Sequence, residues 1–497
     1  MKRFAFIVLF ISGSIFGQDS TTVIDTTYLS LEDVIKMTLS YHPVVKQANL
    51  LDETAAAVLR EARGNLDPKL EADYSLKEFK EKEYYNLLNT SFKIPTWIGI
   101  DPKVEFTRNS GEFLNPQNFI KSTTDDFGNV VSATSDVEQV TVGVSVPLGK
   151  GLFFDERRNA IRKAEAFSQI AEAEQIKEVN KILFTVIKDY WNWYLASKKQ
   201  ALMRQAIVLA QNLFDRTLID YEFGEAAVVD TLQAKINFQK RTVDYRKATL
   251  EFELAKLNLS KHLWSENLAT LELLPGVLPD STSLFATPKD EEVKESIEFA
   301  LTSNPEISKL EGKRNQLNAD MRWARESIKP QIDLSYSFID APINPELESS
   351  TPSFGDNYKM GLDFSFPILL RKERGKIQQT QLKLRSNEFQ MAQSQVVLKN
   401  EVLGAYAQSV ALQDLLDQYL GVSNNYQRLL AAEIINLQNG ETDLFKLNIQ
   451  QDKYIEAQTE YYEAFTKWEK SKAEFYHVVG LPVLGLGNMF GFVTNTP

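Results

Sequence analysis

The sequence predicts a mixed α and β membrane protein in which short strands of a closed β-barrel continue into very long coiled-coil helices. Three observations predict this class. A short apolar leader opens the chain, four short segments alternate apolar with polar residues, and heptad repeats of apolar residues run through the long segments that follow them. The same order of elements occurs twice along the chain.

The chain begins MKRFAFIVLFISGSIFGQ, which is two basic residues, a short apolar run and then small residues. This pattern is typical of a secretory signal peptide, and we predict cleavage after Gly17. No later segment has the roughly 18 apolar residues in a row that a membrane-spanning helix needs. The mature chain is therefore expected to leave the cytoplasm without a helical anchor.

Composition argues against several kinds of site. The 497 residues include no cysteine, so disulfides, thiolate metal sites and the acylated cysteine of bacterial lipoproteins are excluded. The net charge of −12 argues against nucleic acid, which requires a basic surface. His42, His262 and His477 lie far apart in sequence, so we expect no metal site, no catalytic residues and no cofactor.

The four alternating segments are predicted β-strands, at 69–76, 138–147, 331–338 and 358–367. In the last of them, Leu362, Phe364 and Phe366 share one face, while Asp363 and Ser365 share the other. Two segments begin after a proline and two end at one, which suits strand boundaries because proline cannot donate to a sheet. We expect the apolar face to contact lipid and the polar face to line water.

An internal repeat organises the chain, since Pro43 aligns with Pro305 and Tyr190 with Tyr406. The predicted domains are a signal peptide at 1–17, a first repeat at 18–290 and a second repeat at 291–497. Each repeat is predicted to contain short helices, two strands and a long helical hairpin. The short helices are expected at 31–65 and 291–327, the hairpins at 155–262 and 371–478, and a tail at the C-terminus.

The first repeat carries an insert between its two strands, at 80–137. It includes a polar stretch, KSTTDDFGNVVSATSD, and two weakly alternating runs, Leu88 to Ile94 and Lys103 to Thr107. The two runs could add a hairpin to the barrel, although Pro102 would suit only an edge or the start of a strand. The sequence leaves open whether the insert adds strands or forms a loop on either side of the membrane.

The long helices carry two apolar seams. Leu382, Phe389 and Val396 recur at heptad spacing, and Met391 and Leu398 begin a second such series on the same helix. A helix of roughly 65 residues is about 100 Å long, which no compact core requires. Two seams indicate neighbours on two sides, so several such helices closed in a ring would form a tube.

Strands of this length can cross a bilayer only within a closed barrel. The few strands of one chain cannot close, and an open strand edge cannot face lipid. We therefore expect an oligomer. The alternative is a soluble periplasmic coiled-coil scaffold with no transport activity, which the leader and the two-faced strands disfavour.

The chain resembles the TolC-like outer-membrane efflux protein family. The residues that carry this resemblance are the prolines at the strand ends and the segments ERRNAIRKAEA, YWNWYLASKKQ, DYEFGEAAVVDTLQA and NLQNGETDLFKLN. The resemblance implies a homotrimer, with about four strands per chain in one outer-membrane barrel and a helical tunnel across the periplasm of a Gram-negative bacterium. It further implies a passive exit duct for a tripartite efflux or type I secretion system, which binds a periplasmic adaptor and an inner-membrane pump.

The resemblance also implies that the tips of the two helical hairpins contact the adaptor and surround the tunnel entrance. The predicted docking residues are Phe223, Gly224, Glu225, Asn439, Gly440 and Glu441. The candidate pore-entrance acids are Asp220, Glu222, Glu433 and Asp443. Rings of acidic side chains in a pore favour cations. The transported substrate and the class of pump are not determined by the sequence.

Overall fold

The computed structural model describes residues 27–110, 121–124, 130–133, 137–339 and 357–480. The predicted signal peptide and the C-terminal tail from 481 onward lie outside the described residues. The helices are α1 (Leu31–Tyr41), α2 (Pro43–Arg63), α3 (Glu156–Glu222), α4 (Val228–Ser260), α5 (Asp290–Ser303), α6 (Pro305–Glu326), α7 (Arg371–Gln438) and α8 (Leu444–Val479). The strands are β1 (Thr27–Leu29), β2 (Lys69–Phe79), β3 (Lys82–Lys93), β4 (Asp101–Ser110), β5 (Lys121–Thr124), β6 (Val130–Ala133), β7 (Val137–Pro147), β8 (Val277–Pro279), β9 (Gln331–Ile339) and β10 (Tyr358–Ser365).

The described chain divides into two compact units that cut across the two repeats. The tip unit contains 27–40, 186–284 and 416–466. The sheet unit contains the described residues within 41–185, 285–415 and 467–480. Each repeat contributes to both units because the long helices α3, α7 and α8 each have residues in both.

The sheet unit contains one antiparallel sheet of six strands, in the order β10-β9-β7-β4-β3-β2. The four strands expected from the alternating segments are β2, β7, β9 and β10. Neighbouring strands run in opposite directions, so α2, α3, α6 and α7 all connect to the same end of the sheet. We call this the helical end.

The insert adds two strands to this sheet, which corrects the expected number of about four per chain. Strands β3 and β4 form a hairpin that lies between β2 and β7. Pro102 is the second residue of β4 and pairs with Val144, and its carbonyl accepts a hydrogen bond from the Ile94 N–H (2.9 Å). The proline is accommodated inside the sheet because it lies at the start of its strand.

Two further details of the strands go beyond or differ from the expectation. The polar stretch at 121–136 contains the separate two-stranded hairpin β5-β6. Strand β10 ends at Ser365, which pairs with Gln331, the first residue of β9. Phe366 therefore lies just after the strand, because Pro330 precedes β9 and offers no donor to continue the ladder.

Cross-strand pairing is staggered across the sheet. Lys69, the first residue of β2, lies in one continuous row with Lys93, Lys103, Gly143 and Ser337. Ser337 lies near the far end of β9, which spans Gln331–Ile339. A stagger of this kind is what a barrel of tilted strands requires.

The short helices of the two repeats begin in the same way. The His42 side chain accepts a hydrogen bond from the Val44 N–H (3.2 Å) at the start of α2, and Asn304 accepts one from the Glu306 N–H (2.9 Å) at the start of α6. Proline follows each cap as the first helical residue, where its missing N–H costs nothing. In the sheet unit, α2 packs on the start of α3 through Ala62.

In the tip unit, an aromatic cluster fixes the middle of α3 against α8. Trp191 and Tyr194 each contact Phe465, with ring centroids 5.7 and 5.4 Å apart. The buried Tyr190 hydroxyl lies 2.9 Å from the carbonyl of Leu29 and 2.8 Å from that of Asp280, beside the parallel pair β1-β8. This explains why the sequence concentrates aromatic residues in this part of α3.

Among the described residues, the helices are too polar for any of them to cross a membrane.

Candidate functional sites on the sheet and at the hairpin tips

The two faces of the sheet have different chemistry. One row of paired residues crosses all six strands and is wholly apolar: Tyr358, Phe338, Val142, Val104, Phe92 and Leu70. A row on the opposite face contains glycine and polar residues: Lys359, Ser337, Gly143, Lys103, Lys93 and Lys69. Along these two rows, the alternation therefore extends across all six strands.

Two of the three predicted lipid-facing residues, Leu362 and Phe364, lie on the apolar face of the sheet. Leu362 and Phe364 are 62% and 68% exposed on β10, and Phe366 is 41% exposed just after it. Leu362 pairs with Leu334 and Phe364 with Ile332. Large apolar side chains exposed over a continuous face indicate an apolar environment around that face.

The first hairpin tip is a Schellman turn between α3 and α4. Gly224 has a φ of +79°, a left-handed conformation that favours glycine. Its N–H donates to the carbonyl of Tyr221 (3.0 Å), and the Glu225 N–H donates to that of Asp220 (2.8 Å). Phe223, beside the glycine, is 79% exposed.

The second tip, between α7 and α8, repeats this turn. Gly440 has a φ of +75°, and its N–H donates to the carbonyl of Leu437 (3.2 Å). The Glu441 N–H donates to the carbonyl of Asn436 (2.9 Å), and Asn439 is exposed. The two tips thus have the same backbone geometry as well as corresponding glycines.

The tips differ in how the next helix begins. In the first tip, the Asp230 carboxylate accepts a hydrogen bond from the Ala227 N–H (3.1 Å). In the second, the Asp443 carboxylate accepts one from the Lys446 N–H (2.8 Å), so Asp443 caps α8. This cap explains why α8 begins at Leu444.

The candidate entrance acids have unequal surroundings. Glu222 is exposed, and Asp220 is half-buried with its carboxylate 3.8 Å from Arg216. Glu433, in contrast, is buried. It accepts a hydrogen bond from the Thr442 hydroxyl and pairs with Lys446 at 3.3 Å.

These contacts change the interpretation of Glu433. The hydrogen bond from Thr442, with the hydrogen bond and charge of Lys446, outweighs desolvation and lowers the pKa of Glu433. A carboxylate engaged in this way ties α7 to the start of α8. Glu433 therefore has a structural role in the second tip, and its place at the pore entrance stays a prediction. Its partners are Thr442 in the turn and Lys446 in α8, so no local sequence pattern indicated this role.

The three histidines have separate structural roles. His42 caps α2, the His262 ring lies 2.8 Å from the Asp189 carboxylate, and His477 stacks on Phe184 with centroids 4.5 Å apart. Within the part of the chain that the structure describes, no group of histidine, aspartate and glutamate residues could hold a metal ion.

The model of the family described as outer membrane efflux protein matches residues 106–263 and 297–481. The chain belongs to the outer membrane efflux protein family. The match includes both long hairpins, three whole strands of the six-stranded sheet, namely β7, β9 and β10, and the second half of β4. A comparison with curated protein sequences found no match.

Solved structures agree with this fold. The chain is similar to the Campylobacter jejuni CmeC outer membrane channel, with 14% identity, a TM-score of 0.62 and coverage of 90% of this chain and 85% of CmeC. It is also similar to the open state of the Neisseria gonorrhoeae MtrE outer membrane channel (17% identity, TM-score 0.59, coverage of 90% and 88%). A third similar structure is the outer membrane protein VceC from Vibrio cholerae (13% identity, TM-score 0.61, coverage of 90% and 96%).

Membership in the outer membrane efflux protein family establishes the functional class of the protein and its location in the cell. It is an efflux channel of the outer membrane that extends into the periplasm, and it is not an enzyme. The alternative of a soluble periplasmic scaffold is thereby set aside.

Proposed function

We propose that three copies of this chain form one passive exit duct, which receives its substrate from an inner-membrane pump through a periplasmic adaptor. The observation that carries the proposal is the six-stranded sheet, with an apolar face, a polar face and two unpaired edges, at β2 and β10, among the described strands. An open edge cannot face lipid, so each edge needs a partner from another copy.

The strand directions support closure between copies. Because the six strands alternate in direction, β10 of one copy runs antiparallel to β2 of the next. Three copies, the number implied by the resemblance to TolC-like proteins, would give a barrel of eighteen strands. Barrels of this size leave an aqueous channel, which the polar face would line.

The hairpin tips are the proposed docking site for the adaptor. Both tips present an exposed turn with a glycine and an acidic residue, Gly224 with Glu225 and Gly440 with Glu441. In the first, Phe223 is also exposed and offers an apolar contact of the kind that anchors protein interfaces.

The test combines contact with transport. A photo-crosslinking amino acid in place of Phe223 should capture the co-expressed periplasmic adaptor of the same organism, while the same group at Leu362 should not. Loss of the gene should raise accumulation of a fluorescent efflux substrate or abolish export of a secreted polypeptide, which distinguishes the two kinds of system. A monomeric protein in mild detergent, or tips that crosslink no adaptor in actively transporting cells, would contradict the proposal.

A further inference from the structure

The turn between β3 and β4, residues 94–100, has an exposed apolar surface. Trp97 is 44% exposed and Ile98 63% exposed, and Ile94 and Ile100 are exposed beside them. Turns at the surface usually use small and polar residues, because their side chains contact water. An apolar turn of this size therefore suggests a non-aqueous contact.

The turn is held in place by a buried carboxylate. Asp101 accepts a hydrogen bond from the Thr96 N–H (3.0 Å) and two from the Arg157 guanidinium, each 3.2 Å, and Lys93 lies 3.4 Å away. The Thr96 hydroxyl also donates to the carbonyl of Ile100 (2.6 Å). These contacts fix the backbone of the turn at Thr96, Ile100 and Asp101.

The turn lies at the helical end of the sheet. Lys93, at the end of β3, pairs with Lys69 at the start of β2, which follows the short helices. Asp101, at the start of β4, pairs with Ser145 near the end of β7, which leads towards α3. In the proposed barrel this is the end at the periplasmic leaflet of the outer membrane.

The same end carries three pairs of a cation and an aromatic ring. Arg162 lies 5.8 Å from the ring of Trp97. Lys329 lies 5.0 Å from Phe153, which is strongly exposed, and Lys150 lies 5.2 Å from Trp323. Aromatic rings with basic groups beside them suit the membrane–water interface, where the rings contact acyl chains and the cations contact anionic headgroups.

We propose that the β3–β4 turn is a membrane anchor that inserts Trp97 and Ile98 among the phospholipids of the periplasmic leaflet; this rests on the proposed function. The turn continues the apolar face of the sheet, since Phe92 and Val104 lie in the apolar row on the two strands that it joins. The anchor would hold the barrel at a fixed depth in a chain that has no cysteine to acylate.

The absence of cysteine allows a direct test by site-directed spin labelling. Ile98→Cys, Leu362→Cys and Glu441→Cys would each be labelled in the full-length assembly in phospholipid nanodiscs. Accessibility to oxygen, which concentrates in lipid, is compared with accessibility to a water-soluble nickel chelate. We expect the ratio of oxygen to nickel accessibility at Ile98 to be severalfold higher than at Glu441, which lies on the exposed second tip.

The label at Leu362 separates this inference from the proposed function. A lipid signature at Leu362 with a water signature at Ile98 would overturn the anchor and leave the channel intact. A water signature at both positions would count against the barrel itself. Protection of Ile98 from both reagents would show a protein contact, with a neighbouring copy for example, and would also overturn the anchor.

Discussion

At the residue scale, adjacent side chains on β10 have opposite surroundings. Phe364 lies on the apolar face, whereas Asp363 lies on the polar face directly opposite Asp333. Phe364→Arg should reduce the amount of assembled channel in the outer membrane, since a basic side chain on the lipid face is unfavourable, by about 2–4 kcal/mol at the midplane and by less towards the interface, near which the end of β10 lies.

Asp363→Arg is the matched control, because it introduces the same side chain one residue away. It should be far milder, as it faces water and replaces a like-charge pair with an opposite-charge pair. Both variants are measured as heat-sensitive oligomer recovered from outer-membrane fractions. Equal losses, or a greater loss for Asp363→Arg, would show that the faces are assigned the wrong way round.

Glu433 gives a second prediction at this scale, concerning pH. Its pKa is lowered in the folded chain, so its contribution to stability is present above the ordinary value of 4.5 and is lost as the pH falls through the lowered value. Hydrogen-exchange protection of the second tip should therefore decrease in that acidic range more than protection of the first tip.

The first repeat supplies an internal control, because the position that corresponds to Glu433 is the uncharged Thr217. Glu433→Gln should remove the additional pH dependence of the second tip while leaving the first tip unchanged. If the two tips lose protection in parallel in the wild-type chain, the interaction with Thr442 and Lys446 does not stabilise the turn.

At the scale of elements, the two Schellman turns determine where the chain reverses direction between the two helices of each hairpin. A double Gly224→Val, Gly440→Val variant should strain both turns, since the left-handed conformation costs about 1–2 kcal/mol in a residue with a side chain. A Cβ at either position would meet no atom within 4 Å, so the effect comes from the backbone alone. We expect normal outer-membrane assembly with impaired transport.

Asparagine at both positions is the matched control, because it accepts the left-handed conformation more readily than a β-branched residue. Transport and the yield of assembled channel are compared in the same strain for the two double variants. Normal transport by the valine variant would show that the tips tolerate distortion and that the adaptor binds elsewhere.

At the scale of the whole molecule, the insert determines the size of the barrel. We expect eighteen strands in the assembled channel when it is imaged by cryo-electron microscopy in nanodiscs. Deletion of residues 82–110 removes β3 and β4 together and preserves the alternation of strand directions, so that variant should form a barrel of twelve strands. Twelve strands in the unaltered protein would show that the β3-β4 hairpin leaves the sheet on assembly.

Features that depend on local sequence were predictable from the sequence. Period-two alternation and Pro147 identify β7, and Gly224 marks the first tip because few other residues adopt its backbone conformation. Heptad repeats indicated the long helices in the same way. The family was identified by a resemblance that rests on these elements, and the channel function was what that resemblance implied.

The tertiary structure alone decided which segments pair across long separations. The alternation of β3 and β4 is weak, and their place between β2 and β7 depends on backbone pairing along the whole of both strands. The role of Glu433 depends on groups in the tip and the next helix, and the Asp101 network depends on Arg157, which is remote in sequence. Such contacts follow from the positions of whole elements, which no local periodicity encodes.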